Sequence, residues 1–491
     1  MWLRKKRNNC IIKVKWSNNY LYKNMPQIIT MTKTDNKFPN IKDVCRLKIL
    51  RKWERLYDGE HYKEFGIKDY FVDCQKIEKE LYIAINLPSL VSEYFADLVS
   101  SEDITIIASE EKEQEFYDNF KVEQQLNDKA YEIALDQSIY GFSVVKLRTD
   151  DDEVFMDIVP PMQYYPNLSK VDAYGNPTEK ILASYLVIDN VNYLYKEIHT
   201  IDPAVENSGH IEWELWRLSK SLKPIEKVDV SLVKDDGIDS QDTGLNFIPI
   251  FQINNLKTSK QDFGKSDYKD AQNLYQELND RTTQISVQLI KHMNAKLGVP
   301  NGILDENGEI KVKDLDAIEF NDEGQKPIYI TNDNPQIDNG FKQIDKLLRF
   351  IASISKIPPE ELGLEGKGGA EKVEAIKIRL FNSIRKAQRK RMQLTTGLTD
   401  ILMSALIMSG ESTDPSTPKI VYDDFLPVDD RLQTTLIIER LNAGLISRET
   451  AIRRLENIEV EAAQAELDKI KQEEAQNQFS LNTPTPRITE L

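Results

Sequence analysis

The sequence is poor in the residues that build disulfide frameworks and metal sites. Its 491 residues include only three cysteines and four histidines. Cys10, Cys45 and Cys74 show neither close pairing nor metal-ligand spacing, which favours a reducing compartment and no disulfide framework. The histidines form neither an H-E-x-x-H motif nor a Cys/His cluster. The sequence therefore predicts no metal site and no cofactor.

Long apolar runs are also absent. The longest candidate, Ile401–Met408, is shorter than a membrane span and contains Ser404, so we interpret it as part of a buried helix. Near the N-terminus, Lys13 and Lys15 interrupt the apolar stretch that a signal peptide requires. We therefore expect no membrane partner.

An excess of positive charge is missing as well. The net charge is -16, from 64 lysines and arginines against 80 acidic residues. Proteins that bind nucleic acid freely are usually basic overall, so any contact with DNA would have to be local or weak. The composition, 40% hydrophobic and 29% charged, is ordinary for a soluble chain that buries cores. The length suits roughly two to four modules.

Three segments resemble parts of enzyme or ion-binding motifs, but each motif is incomplete. Gly264-Lys265-Ser266 has the end of a phosphate-binding loop, but Ser259 occupies the position of its first glycine. The letters of a kinase D-F-G motif occur at 262–264 without the catalytic loop that accompanies it. Asp150–Asp152 lacks the alternating oxygens and the glycine of a calcium loop, which favours an acidic turn. The sequence therefore predicts a protein that is not an enzyme.

Apolar periodicity in the first half predicts two helices and a set of mostly antiparallel strands. One helical stripe runs from Leu90 to Val99, and a second runs from Leu126 to Ala134, where Gly141 can end the helix in a left-handed conformation. Residues 45–85 show a mixed pattern. β-rich runs follow at Phe142–Leu147, Val154–Val159, Ser184–Ile188, Ile211–Leu218 and Phe247–Ile253. This region is predicted to be an α+β domain.

The second half is predicted to be mainly helical. Ser266 is a suitable N-cap, and Asp267 lies in the first turn, where the helix dipole favours negative charge. Between the first two helices, Asn307-Gly308 separates β-prone runs, which is a strong signal for a two-residue hairpin. Helices are predicted at Ser266–Asn294, Phe341–Ile354, Val373–Met408, Leu432–Asn442 and Ser447–Glu474, with strands at Lys326–Thr331 and Lys419–Tyr422.

Two basic features are candidates for contact with phosphate. Gly366, Lys367 and Gly368 lie in a glycine-rich segment, where a lysine can touch a passing backbone without reading its sequence. A plain flexible linker explains the same residues. The densest basic patch contains Arg385, Lys386, Arg389, Lys390 and Arg391. It is interpreted either as a contact site for DNA phosphates or for an acidic neighbouring subunit, or as a solvated helix face.

In this order, the elements resemble the portal proteins of long-tailed bacteriophages that infect Gram-positive bacteria. The resemblance spans most of the chain, from about Leu47 to Glu474, and rests on short segments in a shared order. These segments are Ile248-Pro249-Ile250 with Asn254-Asn255, Gly264-Lys265-Ser266-Asp267, Leu278-Asn279, Gly368-Gly369-Ala370, Leu441–Ser447 and Glu449-Thr450-Ala451.

The resemblance implies a portal fold with distinct parts. They are an N-terminal arm at 1–44, an α+β wing at 45–262, stem helices at 263–294 and 337–356, a β-hairpin clip at 295–336, a tunnel loop at 357–370, a long helix with a wing strand at 371–427, a helical crown at 428–475 and a flexible tail at 476–491. The implied DNA-contact candidates are Gly366, Lys367, Gly368, Arg385, Lys386 and Arg389. The implied partner-binding candidates of the clip are Asn307, Gly308, Glu309 and Lys311.

The resemblance also implies partners and a location. It implies a homo-oligomeric ring of twelve subunits at one capsid vertex of the virion, assembled in the host cytoplasm. Such a ring passes double-stranded DNA and meets the large terminase, the major capsid and scaffolding proteins, and a head-completion or adaptor protein. The predicted helix–hairpin–helix segment supports a ring independently, because two helices joined by a protruding hairpin cannot bury much of their apolar stripes within one subunit.

Two alternatives stay open. One is another virion or scaffold protein that assembles through its helices without a DNA channel, which the behaviour of a Lys367→Glu variant in packaging would discriminate. The other is a nucleotide-dependent enzyme built around Gly264–Ser266. Nucleotide binding by the isolated protein would discriminate that one.

Overall fold

The structure is a computed structural model that describes most of the chain. The described residues are 38–66, 82–100, 103–150, 153–220, 222–234, 237–293, 296–300, 317–320, 328–330, 335–364, 373–422, 430–456 and 464–471. The chain divides into two compact units, Met1–Ala370 with Arg379–Asp423, and Glu371–Ile378 with Asp424–Leu491. Each unit is described by itself.

The helices carry most of the second half and part of the first. In chain order they are α1 (Ile41–Tyr57), α2 (His61–Phe65), α3 (Leu87–Ser100), α4 (Glu111–Glu123), α5 (Leu126–Tyr140), α6 (Gln272–Met293), α7 (Pro335–Ser355), α8 (Val373–Met408), α9 (Asp430–Asn442) and α10 (Arg448–Glu456), with a further helical segment at 464–471. The predicted long helix after the glycine-rich segment is confirmed with the same bounds, because its apolar stripe contains no proline.

The strands form four sheets among the described residues. In chain order they are β1 (Thr105–Ile107), β2 (Phe142–Asp150), β3 (Glu153–Val159), β4 (Tyr164–Pro166), β5 (Glu179–Ile188), β6 (Val191–Thr200), β7 (His210–Leu218), β8 (Pro224–Val228), β9 (Ser240–Asp242), β10 (Ile250–Asn254), β11 (Lys296–Pro300), β12 (Ala317–Phe320), β13 (Ile328–Ile330) and β14 (Lys419–Val421). Their orders are β1-β14, β10-β2-β3, β12-β11-β13, and β4-β5-β6-β7-β8 with β9 paired to β7. The predicted α+β class is confirmed.

Most pairs are antiparallel, as predicted, with one exception. The hairpin predicted around residues 150–152 is confirmed, since β2 and β3 pair antiparallel from Val144 and Val159 to Asp150 and Glu153. The sheet formed by β11, β12 and β13, which we call the tip sheet, is mixed because β11 and β12 run parallel. Parallel pairing requires a crossover connection and not a tight turn, so local turn signals could not predict it. The hairpin predicted at Asn307-Gly308 lies outside the described residues.

Helix α1 is an element that the sequence interpretation missed. Its buried residues are Asp43, Leu47, Leu50, Trp53 and Leu56, a narrow stripe interrupted by many charged residues. Asn40 caps the helix by accepting a hydrogen bond from the Asp43 backbone N–H at 2.9 Å. The helix therefore begins inside the segment that was predicted to be an N-terminal arm. The apolar face of α1 packs into the main core of the first unit together with α3, β2, α6 and α7.

Two glycines mark where α5 and the chain entering α6 meet backbone to backbone. Gly141 ends α5 with φ +91°, as predicted for a left-handed C-cap. Its carbonyl accepts a hydrogen bond from the Asn255 N–H at 2.8 Å. A Cβ on Gly264 would lie 2.0 Å from the Gly141 oxygen and 2.7 Å from the Asn255 nitrogen. Both obstacles are backbone atoms, so only glycine fits at position 264.

We therefore predict different outcomes for two glycine-to-alanine substitutions. Gly264→Ala should lower the free energy of unfolding by about 3 kcal/mol, because the methyl group meets immovable backbone. Gly340→Ala is the control: its Cβ would meet only the flexible end of Ile285, at 2.8 Å from Cδ1. Alanine also favours a helix over glycine by about 1 kcal/mol. Denaturant unfolding of both variants checks this, and equal losses would contradict it.

Candidate functional site

The start of α6 differs from the capped helix that the sequence predicted. The Ser266 hydroxyl accepts a hydrogen bond from the Tyr268 N–H at 3.2 Å, as a capping residue does. Residues 267–271 nevertheless form turns, and the helix begins at Gln272. The Asp267 N–H donates to the Ser138 carbonyl at 3.0 Å, which fastens this segment to α5. Tertiary hydrogen bonds have replaced the first helical turn.

Asp267 is the centre of a buried ion cluster and does not act on a helix dipole. Its carboxylate lies 3.1 Å from the Lys386 ammonium and 2.6 Å from that of Lys390. The Ser138 hydroxyl donates to it at 2.6 Å. The exposed fractions of the Asp267 and Lys390 side chains are only 4% and 2%. The cluster therefore joins α5, the entry to α6, and α8 inside one unit.

The electrostatics of this cluster follow from burial and from two neighbouring cations. Burial alone would raise the pKa of Asp267, but the Lys386 and Lys390 ammonium groups outweigh it and hold that pKa well below its usual range. Burial lowers the pKa of Lys386 to about 8, against the opposing attraction of Asp267. At neutral pH Asp267 and Lys386 are both charged, and the attraction between them compensates for the hydration that each loses on burial.

The structure splits the predicted basic patch into a buried and an exposed part. Lys386 also donates to the Ser355 carbonyl at 3.1 Å, and its ammonium lies 3.9 Å from the Phe95 ring centroid. Arg391 donates to the carbonyls of Leu98 and Val99 at the end of α3, at 3.2 and 3.1 Å. The expectation that Lys386 contacts DNA is therefore replaced by an internal structural role.

Arg385 and Arg389 form the exposed part of the patch, and they stay candidates. The sequence could have indicated that Lys386 and Lys390 act together, since they are four residues apart and share a helix face. It could not have indicated their partners Asp267 and Ser138, because these residues are distant in sequence. Gly366–Gly368 and the four clip candidates, Asn307, Gly308, Glu309 and Lys311, lie outside the described residues.

The geometry around Gly264 gives no support to a phosphate-binding loop. The Lys265 ammonium is paired with Asp270, and Ser266 is buried against α5. The Gly264 N–H donates to the Asn254 side-chain oxygen at 2.9 Å, so it is not available to a phosphate. A phosphate loop requires free N–H groups at an open helix N-terminus. We call residues 264–271 the strap, because this segment fastens the start of α6 to α5.

The predicted stem helices, α6 and α7, pack against each other. Gly340 in α7 approaches Ile285 in α6 so closely that a Cβ would meet its side chain. Leu347 and Ile351 of α7 are buried in the core of the single chain. The expectation that one subunit buries little of the two apolar stripes is therefore wrong for this part of the stem.

Other apolar side chains of α7 stay uncovered. Phe341 and Phe350 are 49% and 57% exposed and lie on opposite sides of the helix. Phe350 shares its side with Ile354, which is 42% exposed. Because exposed apolar residues are clustered there, this side of α7 is suited to contact another protein surface.

Polar side chains of α6 hold a preceding extended segment in place. Asn279 accepts a hydrogen bond from the Ile85 N–H and Thr283 accepts one from the Ile83 N–H, both at 3.0 Å. The Asn279 amide also contacts His61 Nδ1 at 2.8 Å. The Leu278-Asn279 pair therefore has a structural reason: Leu278 fills the core, and Asn279 satisfies a partly buried backbone donor.

The second unit contains a small helical pair. Gly444 follows α9 with φ +69°, and the Leu445 N–H donates to the Arg440 carbonyl at 2.9 Å. The Ser447 hydroxyl accepts from the Thr450 N–H at 3.1 Å and caps α10, as predicted. Ile437 and Ala451 are buried in this unit.

Comparison with known protein families gives a match over most of the chain. The family described as "Phage portal protein, SPP1 Gp6-like" matches residues 37–479. The chain belongs to this family. The resemblance inferred from the sequence is therefore confirmed, and the family is one of structural proteins. No curated protein gave a significant match.

Some of the solved structures to which this chain is similar come from gene transfer agent particles. A chain in "Virion of native gene transfer agent (GTA) particle" is 10% identical, with a TM-score of 0.45, over 80% of this chain and 95% of that chain. A chain in "Neck of empty GTA particle computed with C6 symmetry" is 11% identical, with a TM-score of 0.46, and also covers 80% of this chain and 95% of that chain.

Within the described ranges, no helix is long and apolar enough to cross a membrane.

The buried cluster gives a prediction about stability. Asp267→Asn should lower the free energy of unfolding by about 3–5 kcal/mol, because two buried ammonium groups lose their counter-charge. Asp270→Asn is the matched control three residues away: its side chain is 57% exposed, and its loss should cost less than about 1 kcal/mol. Unfolding in denaturant at neutral pH measures both.

The pH dependence provides a second check on the same variant. A carboxylate whose pKa is lowered by folding stabilises the protein above the ordinary pKa of 3.8, and this stabilisation is lost as the pH falls towards the folded pKa. The advantage of the wild type over Asp267→Asn should therefore narrow below about pH 4. A constant difference down to pH 2 would contradict a charged Asp267.

Proposed function

We propose that this chain forms the portal ring at one capsid vertex and serves as the channel through which DNA is packaged and ejected. Family membership supports the ring and its place in the virion. The observation that carries the proposal is on α7, where Phe341 and Phe350 lie on opposite sides of the helix and each stays about half exposed. A closed ring places one neighbouring subunit on each side of every subunit, so a neighbour's surface covers both.

The parts of the chain fit the tasks of a portal. We assign the α+β region and β14 to the wing, α6 and α7 to the stem, and the tip sheet to the clip. The clip, with Asn307, Gly308, Glu309 and Lys311, is the proposed docking site for the large terminase and later for a head-completion protein. The second unit is the proposed crown, and the ring in the virion contains twelve subunits. Capsid and scaffolding proteins are its proposed partners at the wing during assembly in the host cytoplasm.

The charge of the chain supports transient and not tight contact with DNA. A net charge of -16 repels phosphate on balance, which favours DNA that slides through a channel over DNA that is held tightly. Local contact is proposed for the tunnel loop, where Lys367 is flanked by Gly366 and Gly368. The ATP that drives packaging is then hydrolysed by the terminase.

The proposed ring predicts what charges on the two exposed sides of α7 would do. Phe341→Asp combined with Phe350→Asp should abolish annular particles in electron micrographs, because each carboxylate would be forced against an apolar surface of a neighbouring subunit. The fold should be retained, since neither side chain is buried in the single chain. Thermal unfolding checks the fold.

A matched control uses exposed apolar residues of the wing. Ile225 and Val205 are 60% and 56% exposed, and their replacement by aspartate should leave rings intact. Compact monomers of the wild type at every concentration would overturn the proposed function. Annular particles without an open channel would favour a channel-free scaffold protein instead.

If the tunnel loop contacts DNA, a change in its charge should affect DNA packaging without affecting ring assembly. Lys367→Glu should reduce packaged DNA or its retention, because a negative loop repels the passing backbone, while ring formation stays normal. Lys367→Arg keeps the charge and should retain packaging. Counting filled particles in complementation tests measures this, and normal packaging by Lys367→Glu would refute contact by this lysine.

A further inference from the structure

A cavity of about 280 Å³ opens beside α8 and is unusually positive for this chain. Its walls come from the strap before α6, the end of α7 and one face of α8, all in the first unit. Five cations and two carboxylates line it, on a molecule whose net charge is -16. The cations are Lys265, Lys356, Arg385, Lys386 and Arg389.

Three of these cations have no counter-ion in the part of the chain that the structure describes. Lys386 is paired with Asp267, and Lys265 is paired with Asp270. Arg385 lies over the Phe381 ring, 4.8 Å from its centroid, and no ion pair is present for Lys356, Arg385 or Arg389 among the described residues. Like charges gathered in one concave site repel each other unless an anion joins them.

The frame of the cavity is firmly held. The Ser383 hydroxyl donates to the Lys356 carbonyl at 2.5 Å, and Lys386 donates to the neighbouring Ser355 carbonyl at 3.1 Å. These bonds fix the chain as it leaves α7, where Lys356 adopts a left-handed φ of +67°. The Asp267 ion cluster forms part of the wall. A site whose frame is preorganised binds an anion with little loss of conformational freedom.

We propose that a carboxylate from a second copy of this chain fills this cavity. The cavity is small and concave, so it admits one acidic side chain and not a duplex. Arginine fits a carboxylate through two parallel hydrogen bonds. The proposal rests on the proposed ring, which brings an acidic copy against every subunit and completes a site that a single chain leaves open.

The surroundings of the cavity favour a protein over DNA. Phe350, Phe381 and Met392 are all more than half exposed on the same helices, and Ile354 lines the cavity itself. Arginine, methionine and aromatic residues together are typical of protein–protein interfaces. Surfaces that hold DNA are far more polar and more uniformly basic. Contact of Arg385 and Arg389 with DNA is the alternative that the following experiments distinguish.

The first arm of the test reverses the charge of the cavity. Arg385→Glu with Arg389→Glu should raise the protein concentration needed for half-maximal ring assembly at least about tenfold, because a carboxylate would face carboxylates. Lys220→Glu with Lys223→Glu makes the same charge change on exposed wing residues and should not alter assembly. Native mass spectrometry counts the subunits, and thermal unfolding verifies the fold.

The second arm uses the wild-type ring and needs no variant. A carbodiimide joins a lysine to a carboxylate only when the two are in contact. In rings assembled from equal parts of unlabelled and ¹⁵N-labelled chains, Lys356 should form links between light and heavy peptides, which identifies the acidic residue of the second copy. Lys220 should form no such link.

The outcomes are distinguishable from failure of the proposed function. If the wild type forms no rings, the proposed function fails. If rings form, but the arginine variant assembles normally and Lys356 links only within one chain, this inference alone is overturned. Normal assembly with reduced DNA retention would also overturn it and would assign Arg385 and Arg389 to DNA.

Discussion

The buried carboxylate of Asp267 is the interaction on which the first unit depends. It lies within 3.1 Å of the ammonium groups of Lys386 and Lys390 and accepts a hydrogen bond from Ser138. A charge in this position is tolerable only when all its partners are present. The cluster therefore sets the position of α8 relative to α5 and the entry to α6. The positions of Arg385 and Arg389, which neighbour Lys386 and Lys390 on α8, therefore depend on this internal contact.

The fold separates residues that hold the subunit together from residues that are left for partners. Along α8, one face supplies Lys386, Lys390 and Arg391 to the interior, and the neighbouring face leaves two arginines in a concave, positive site. On α7 the same division appears between buried and half-exposed apolar residues. A single chain thus exposes both an apolar and an electrostatic surface that are incomplete alone, as expected for a subunit of a ring.

Local signals predicted the elements whose causes are local. The long helix α8 followed from an apolar stripe without proline, the end of α5 from Gly141, and the cap of α10 from Ser447. Helix α1 was missed because its stripe is narrow and crowded by charges, so its burial in the core is what reveals it. The parallel pairing in the tip sheet was missed because a crossover leaves no signal in adjacent residues.

By itself, the sequence determined the α+β class, the order of the elements, the family and the absence of a complete enzyme motif. These depend on composition, on periodicity over ten to thirty residues and on the order of short segments. Only the tertiary structure decided the parts played by Gly264, Asp267 and Lys386. Each of them acts on a partner more than a hundred residues away in the chain, and pairwise contacts over such separations are set by packing and not by local preference.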